Sequence, residues 1–199
     1  KREKITGEKA EAFLKSRPLV FDKKGDEHYD TVSALIKSVR GSDPDAALYW
    51  LGKLVASGED PRFICRRLLI LSSEDVGLAD PYALILAEAA AGAVERVGLP
   101  EARINLAHLV IYLSCAPKSN TGYLAVEKAM EYINKENLEV PRHLTKRGQS
   151  EYKYPHDFPG GWVEQKYLPK EISFLSWKGI GDEKRLQEEL EKRKAKNKD

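Results

Sequence analysis

Three Asp-Pro pairs recur in the first half of this 199-residue chain, and each stands directly before a run with helical apolar spacing. The pairs are Asp43-Pro44, Asp60-Pro61 and Asp80-Pro81. Proline at the first position of a helix loses no hydrogen bond, because the missing N–H would be unpaired there. The aspartate before it accepts hydrogen bonds from free amides and suits the positive end of the helix. The pattern therefore predicts repeated helix starts.

Glycines stand just before these starts and before the sequence Leu99-Pro100-Glu101, where they are good helix terminators. The glycines are Gly41, Gly58, Gly77 and Gly98. Together with apolar spacing, they predict helices over residues 44–56, 61–74, 81–97, 100–115 and 120–135. An earlier helix ends at Gly41 and carries the stripe Val32, Leu35, Ile36 and Val39. The stripe of the helix 120–135 is Tyr123, Val126, Met130 and Ile133. Short turns between such helices favour antiparallel or steeply crossed neighbours, which predicts an all-α array.

The pattern changes after Leu138, where prolines and aromatic residues follow with no period. Residues 138–181 are therefore predicted to form an irregular segment that wraps the helical body. Residues 182–199 form a charged helix or tail with a basic end, for which a solvated, fraying terminus is the simplest interpretation.

The composition is that of a folded protein with no global nucleic-acid signature. Charged residues make up 32% of the chain, apolar residues 42%, and the net charge is +2. Any contact with nucleic acid must therefore come from a local patch.

Sequence motifs for several common chemistries are missing. The chain contains no GxxxxGK[ST] loop, HExxH, GxSxG or EF-hand pattern. The four histidines have no ligand-like spacing, and Cys65 and Cys115 lie in apolar helical runs, so we expect buried thiols and no metal or cofactor in this chain. The most apolar stretch, residues 82–94, is too short to span a bilayer. We expect a cytoplasmic protein without membrane contact, and interpret the polar start at Lys1 as that of a fragment.

Glu74 and Asp75 fall at the predicted end of the helix 61–74, where the helix dipole disfavours acids by about 0.3–1 kcal/mol. We expect a compensating cation from elsewhere in the fold or from another subunit, so the pair is a candidate oligomer interface. As acids and bases for catalysis they are weak candidates, because no nucleophile, base or metal ligand lies nearby in sequence.

The helix 44–56 carries more apolar surface than one buried stripe requires. Its core-facing residues are predicted to be Ala47, Leu51, Leu54 and Val55. Tyr49 and Trp50 point to the flanks, and aromatic residues are favoured anchors in interfaces. They are the second part of the candidate oligomer interface, with coverage by a neighbouring helix as the alternative.

Four cations are candidate contacts for an anion or DNA: Arg62, Arg66, Arg67 and Lys118. The arginines lie on one predicted helix, and Lys118 lies beside the start of the helix 120–135, where anions are favoured. Salt-bridged or solvated arginines and a simple capped turn at Lys118 are the alternatives.

Longer stretches of the chain resemble one family. These stretches are FDKKGDEHYDTVSALIKSVRGSDPDAALYWLGKLVASGEDPRFICRRLLILSSEDVGLADP, GLPEARINLAHLVIYLSCAPKSNTGY and YKYPHDFPGGWVEQKYLP. In order, from about Phe21 to Pro169, they are similar to the C-terminal region of the RarA/MgsA family of AAA+ ATPases, which are relatives of the Werner-helicase-interacting protein. The family has roughly a dozen more residues near positions 140–152, so this region departs from its pattern.

The resemblance implies an all-α domain, similar to the clamp-loader collar, that assembles the protein into a homotetramer. It places the end of the AAA+ lid or a linker at residues 1–20 and a helical oligomerisation domain at 21–137. ATP and Mg²⁺ would belong to an N-terminal ATPase module. The parent protein would act in the cytoplasm, associated with the nucleoid, at stalled replication forks with DNA and single-strand-binding protein. The alternative is a helical module that itself binds DNA or a replication partner.

Overall fold

The computed structural model describes residues 26–195, and within that range it contains helices and turns but no strand. The α-helices are α1 (Asp26–Arg40), α2 (Pro44–Ala56), α3 (Pro61–Leu71), α4 (Tyr82–Val97), α5 (Ala102–Cys115), α6 (Thr121–Lys135) and α7 (Asp182–Ala195). The prediction of an all-α fold is confirmed. The predicted lid or linker at residues 1–20 and the last four residues of the basic tail lie outside the described residues.

The three Asp-Pro pairs act as helix caps, as predicted. The side chain of Asp43 accepts a hydrogen bond from the backbone N–H of Ala46 at 2.9 Å. Asp60 accepts from the backbone N–H of Arg62 at 2.9 Å. Asp80 accepts from that of Tyr82 at 3.1 Å. Each aspartate therefore satisfies one amide of the first helical turn that has no partner within the helix.

The starts predicted at residues 81 and 120 are each one residue early, since the helices begin at Tyr82 and Thr121. Two other predicted boundaries are wrong by more than one residue. The helix predicted over 61–74 ends as an α-helix at Leu71, because the backbone widens into a π-helical turn over Ser72–Val76. The helix predicted from residue 100 begins at Ala102, since residues 99–101 form a turn before it.

At the end of α1 the left-handed residue is Ser42, with φ 60°, rather than the predicted terminator Gly41. The amide of Asp43 donates to the carbonyl of Ser38 at 3.0 Å, and that of Ser42 donates to Val39 at 3.1 Å. These two bonds are those of a Schellman motif, which places its left-handed residue one position after the glycine.

The described residues divide into two compact units, of which the first combines residues 26–71 with Leu84–Cys115. In this unit α1 and α2 pack together, and both contact α5. The fully buried side chains of this core include Leu35, Val39, Leu54, Ile64, Leu68, Leu106, Leu109 and Leu113. Cys65 is buried as predicted, whereas the same prediction is wrong for Cys115, which is exposed at the last turn of α5.

The second unit combines Ser72–Ala83 with the described residues from Ala116 onwards. In it α6 packs on the π-helical turn and on a 3-10 turn at Gly77–Ala79, which α7 also contacts. Residues 138–181 contain 3-10 turns only, at Arg142–Leu144, Lys146–Glu151, Pro155–Asp157 and Pro159–Gly161, which confirms the predicted irregular character.

The buried carboxylate of Glu183 joins the elements of the second unit. Glu183 lies in the first turn of α7 and is 0% exposed. Its Oε1 accepts from the hydroxyl of Thr121 at 2.8 Å and from the backbone N–H of Lys178 at 2.7 Å. Its Oε2 accepts from the hydroxyl of Ser119. The start of α7 is thereby fixed to the start of α6.

Candidate functional site

Tyr49 and Trp50 form an aromatic pair on α2. The two rings meet edge to face with centroids 4.9 Å apart, and the ammonium of Lys53 lies 5.7 Å from the Trp50 ring centre. Tyr49 remains 65% exposed, while Trp50 is half-buried. Contact with Trp50 favours one orientation of the exposed Tyr49 ring, so binding to a partner would cost little additional side-chain entropy. Large aromatic side chains of this kind are common anchors in interfaces.

Glu74 and Asp75 lie in the π-helical turn of the second unit, where Asp75 is buried and Glu74 half-buried. Both residues have interaction partners within the chain, and the expected compensating cation stays a prediction. Glu74 and Asp75 belong to a different unit from Tyr49 and Trp50, so the four candidate interface residues form two separate sets.

Two of the four candidate cations already have partners on their own elements. Arg62 binds Asp60 through its guanidinium, with Nη2 3.0 Å from Oδ2. Hydrogen bonding between the two lowers the pKa of Asp60 and raises that of Arg62. Lys118, in the second unit, donates from Nζ to the carbonyl oxygen of Ala116 at 2.6 Å, which favours the capped-turn interpretation. The four cations are thus not gathered into one patch on a single unit.

Arg66 and Arg67 differ from each other in exposure. Arg66 is exposed, with its guanidinium carbon 5.8 Å from the centre of the Phe63 ring. Arg67 is half-buried, and its buried Nε has no hydrogen-bond partner among residues 26–195. It lines a cavity of about 420 Å³ together with Lys37 and Arg40 of α1.

The sequence did not lead us to predict Lys37 and Arg40 as site residues, because they lie on the polar side of an amphipathic helix and such residues are usually exposed to solvent. Their spacing gave a usable signal, since Tyr29, Ser33, Lys37 and Arg40 recur once per turn along one face of α1. No pattern in the sequence indicated that Arg67, on another helix, faces the same cavity.

The predicted stripe of α6 is exposed in the isolated chain. Tyr123 is 42% exposed, Val126 53%, Met130 54% and Ile133 57%. We call these four residues the α6 stripe. Their spacing of three, four and three residues is that of the a and d positions of a coiled coil, which pack against another helix. The sequence shows this spacing, but only the structure shows that residues 26–195 leave this face of α6 exposed.

Within the described range, no three His, Cys, Asp or Glu side chains are grouped as a metal site requires. No helix over the same residues is both long and apolar enough to cross a membrane.

A contiguous apolar patch on an exposed helix face, such as the α6 stripe, is a candidate interaction surface. Comparison with known proteins gives the family. Residues 41–194 match the family described as MgsA AAA+ ATPase C terminal, and residues 1–40 match the AAA C-terminal domain. The chain belongs to the MgsA AAA+ ATPase C-terminal family.

Similar proteins include the replication-associated recombination protein A of Bacillus subtilis, 47% identical over 175 residues, which are 83% of this chain and 41% of that protein. The Escherichia coli K12 protein of the same name is 44% identical over 165 residues, 77% of this chain and 37% of that protein. An uncharacterized protein of Thermotoga maritima is 49% identical over 176 residues, 84% of this chain and 29% of that protein. The chain thus spans less than half the length of these relatives.

Proposed function

We propose that this chain is the homotetramerisation domain of a larger RarA/MgsA-like, DNA-dependent AAA+ ATPase that acts at stalled replication forks in replication, repair and recombination. ATP and Mg²⁺ would be bound by an N-terminal module of the parent protein, and no cofactor by this chain. DNA and single-strand-binding protein would be partners of the parent protein, which would act in the cytoplasm, associated with the nucleoid. Family membership supports the general role, and the α6 stripe supports the assembly.

The exposure of the α6 stripe is the observation that carries this proposal. Apolar side chains scattered singly on a surface need no explanation, but four on one helical face form a contiguous patch. At an isologous two-fold contact the same stripe of a second copy would face it, so that each copy supplies both the knobs and the holes.

A closed tetramer requires a second kind of contact besides the first two-fold. The aromatic pair Tyr49 and Trp50 is the candidate for that contact. It lies in the first unit, whereas the α6 stripe lies in the second. Each subunit would then offer two separate self-complementary surfaces.

Sedimentation velocity at micromolar concentration tests the assembly. We expect a mass four times the 22.4 kDa of the chain. Met130→Glu should reduce it to a dimer, and so should Tyr49→Glu, because each places a charge in one of the two contacts. Val140→Glu is the matched control: Val140 is 65% exposed but lies outside both surfaces, so its tetramer should persist.

A wild-type chain that remains a monomer under these conditions would defeat the proposal. A tetramer that persists in both test variants would leave the assembly standing and reject the two chosen surfaces. Circular dichroism of each variant, which should match the helical content of the wild type, is the control for folding.

A further inference from the structure

Met130 is the sole methionine of the 199-residue chain, and it is part of the α6 stripe. Val126 stands one turn before it in the stripe and Ile133 one turn after it, so Met130 lies inside this apolar patch and not at its end. Met130 is 54% exposed in the isolated chain. The one thioether of the chain is therefore open to small oxidants in the solvent.

Hydrogen peroxide oxidises an exposed thioether to a sulfoxide. A lone pair of the sulfur attacks one peroxide oxygen, so that a sulfur–oxygen bond forms and the oxygen–oxygen bond breaks. The departing hydroxide takes up the proton of the transferred oxygen and leaves as water. Sulfur loses two electrons and the peroxide gains them. A thioether has no proton to lose, so access to the sulfur decides where this reaction occurs.

We propose that oxidation of Met130 to its sulfoxide by a hydroperoxide, such as hydrogen peroxide, opens the α6 contact between two copies of the chain, and that reduction of the sulfoxide closes it again. This inference rests on the proposed function, in which the α6 stripe of one copy faces that of another. Methionine sulfoxide is polar where methionine is apolar, and such a change disrupts the contacts that methionine makes. The reducing step uses two thiols, which become a disulfide while the oxygen leaves as water.

The position of Met130 in the stripe determines how strongly the contact responds. Its neighbours Val126 and Ile133 have no hydrogen-bond donor in their side chains, so a sulfoxide covered by the same stripe of a second copy would be buried without a partner there. Burying a polar group in this way weakens association by about tenfold or more. An isologous contact contains Met130 of both copies, so two sulfoxides weaken it by roughly a hundredfold.

The contact that Met130 stabilises also protects it. In the assembled state the second copy covers the sulfur, so peroxide reaches Met130 in copies whose α6 contact has opened. An oxidised copy binds its partner weakly, and the equilibrium shifts towards separated copies by mass action. The rate of oxidation should therefore fall as the concentration of the chain increases, which a methionine on a permanently exposed surface would not show.

The two cysteines are the other sulfur groups that peroxide could oxidise, and they are kept out of the test. Cys115 is exposed, so the whole chain is used with the change Cys115→Ser. Cys65 is buried, and burial raises the pKa of its thiol to about 11, so little reactive thiolate is present at neutral pH. Sedimentation velocity at micromolar concentration then gives the assembly before and after peroxide, and intact mass spectrometry shows that one oxygen has been added.

Complete oxidation should convert the tetramer of 22.4 kDa chains into a dimer, and treatment with methionine sulfoxide reductase and a dithiol should restore the tetramer. Met130→Leu is the matched control, because leucine is apolar, similar in volume and resistant to peroxide. Its sedimentation should be the same before and after peroxide. Met130→Gln places a polar amide at the same position, so it should form the dimer without peroxide, and this result does not depend on the leucine variant.

Different results separate this inference from the proposed function. A tetramer that persists after complete oxidation of Met130 would reject the redox control and leave the assembly itself standing. An untreated chain that is a monomer would reject both. Peroxide that dissociates Met130→Leu as readily as the chain with Met130 would place the sensitive group elsewhere and overturn the proposal. So would an oxidation rate that stays the same between low and high micromolar chain concentration.

Discussion

Replacing Glu183 with glutamine should destabilise the second unit more than any other single conservative change at an acid of α7. The carboxylate accepts hydrogen bonds from the hydroxyls of Ser119 and Thr121 and from the backbone N–H of Lys178. A backbone hydrogen bond from Gly179 also acts on it. Glutamine keeps the shape of the side chain but replaces one acceptor oxygen with an NH₂ group, which cannot accept.

The size of the loss in stability follows from the hydrogen bonds that glutamine cannot make as the carboxylate does. With its NH₂ group at the Oε1 position, glutamine would face the backbone N–H of Lys178, which cannot accept a hydrogen bond. With the NH₂ group at the Oε2 position, the hydroxyl of Ser119 would have to turn and accept instead of donating. An unsatisfied buried group costs about 1–3 kcal/mol, and the bonds that remain lose their charge-assisted part. We expect a total loss of about 2–4 kcal/mol in the free energy of unfolding.

Urea unfolding, monitored by far-UV circular dichroism, measures this loss in the free energy of unfolding. In a chain of this size 1 kcal/mol corresponds to about 2–4 °C, so the melting temperature should fall by roughly 4–16 °C. Glu188→Gln is the matched control, because it makes the same change at an exposed position of the same helix. That control should stay within about 0.5 kcal/mol of the wild type. A Glu183→Gln variant as stable as the control would refute the reasoning.

The same carboxylate predicts a dependence on pH. Burial raises the pKa of Glu183, but the hydrogen bonds from Ser119, Lys178, Thr121 and Gly179 together outweigh it and bring the pKa below the ordinary value of 4.5. A folded-state pKa below the unfolded one means that the stabilisation is fully present above about pH 4.5 and is lost as pH falls through the folded pKa. Glutamine does not titrate, so the stability difference between wild type and Glu183→Gln should shrink from pH 6 to pH 3. A difference that stays constant over this range would contradict the assignment.

Two further changes test other parts of the fold. Gly181→Ala should cost about 1–3 kcal/mol in urea unfolding, because Gly181 has φ +56° and a Cβ there would clash with the carbonyl of Ala79; an unchanged midpoint would contradict this. Iodoacetamide at pH 8 should modify the exposed Cys115 and spare the buried Cys65, and peptide mass spectrometry would show which thiol is labelled. Burial and the charges of Asp60 and Glu95 raise the pKa of the Cys65 thiol to about 11, so little of the reactive thiolate is present at pH 8. Equal labelling of both thiols in the folded chain would be the contrary result.

Local signals in the sequence were enough to predict the helices and most of their starts. An Asp-Pro pair acts through amides two or three residues away, so its effect on the backbone does not depend on the rest of the fold. The same is true of apolar spacing, which predicted that Leu51 and Leu54 of α2 are buried. The π-helical turn at Ser72–Val76 was not predicted in this way, because no residue type or spacing in the sequence marks it. In the structure the turn packs against α6.

Tertiary structure decided which polar residues share a site. Lys37 and Arg67 are 30 positions apart, and only the packing of α1 against α3 brings them to the same cavity. Glu183 reads in sequence as an ordinary acid in the first turn of a helix, yet the fold buries it against Ser119 and Thr121. The physical reason is range: caps and helical periods act over a few residues, whereas burial and charge pairing depend on which distant segments meet.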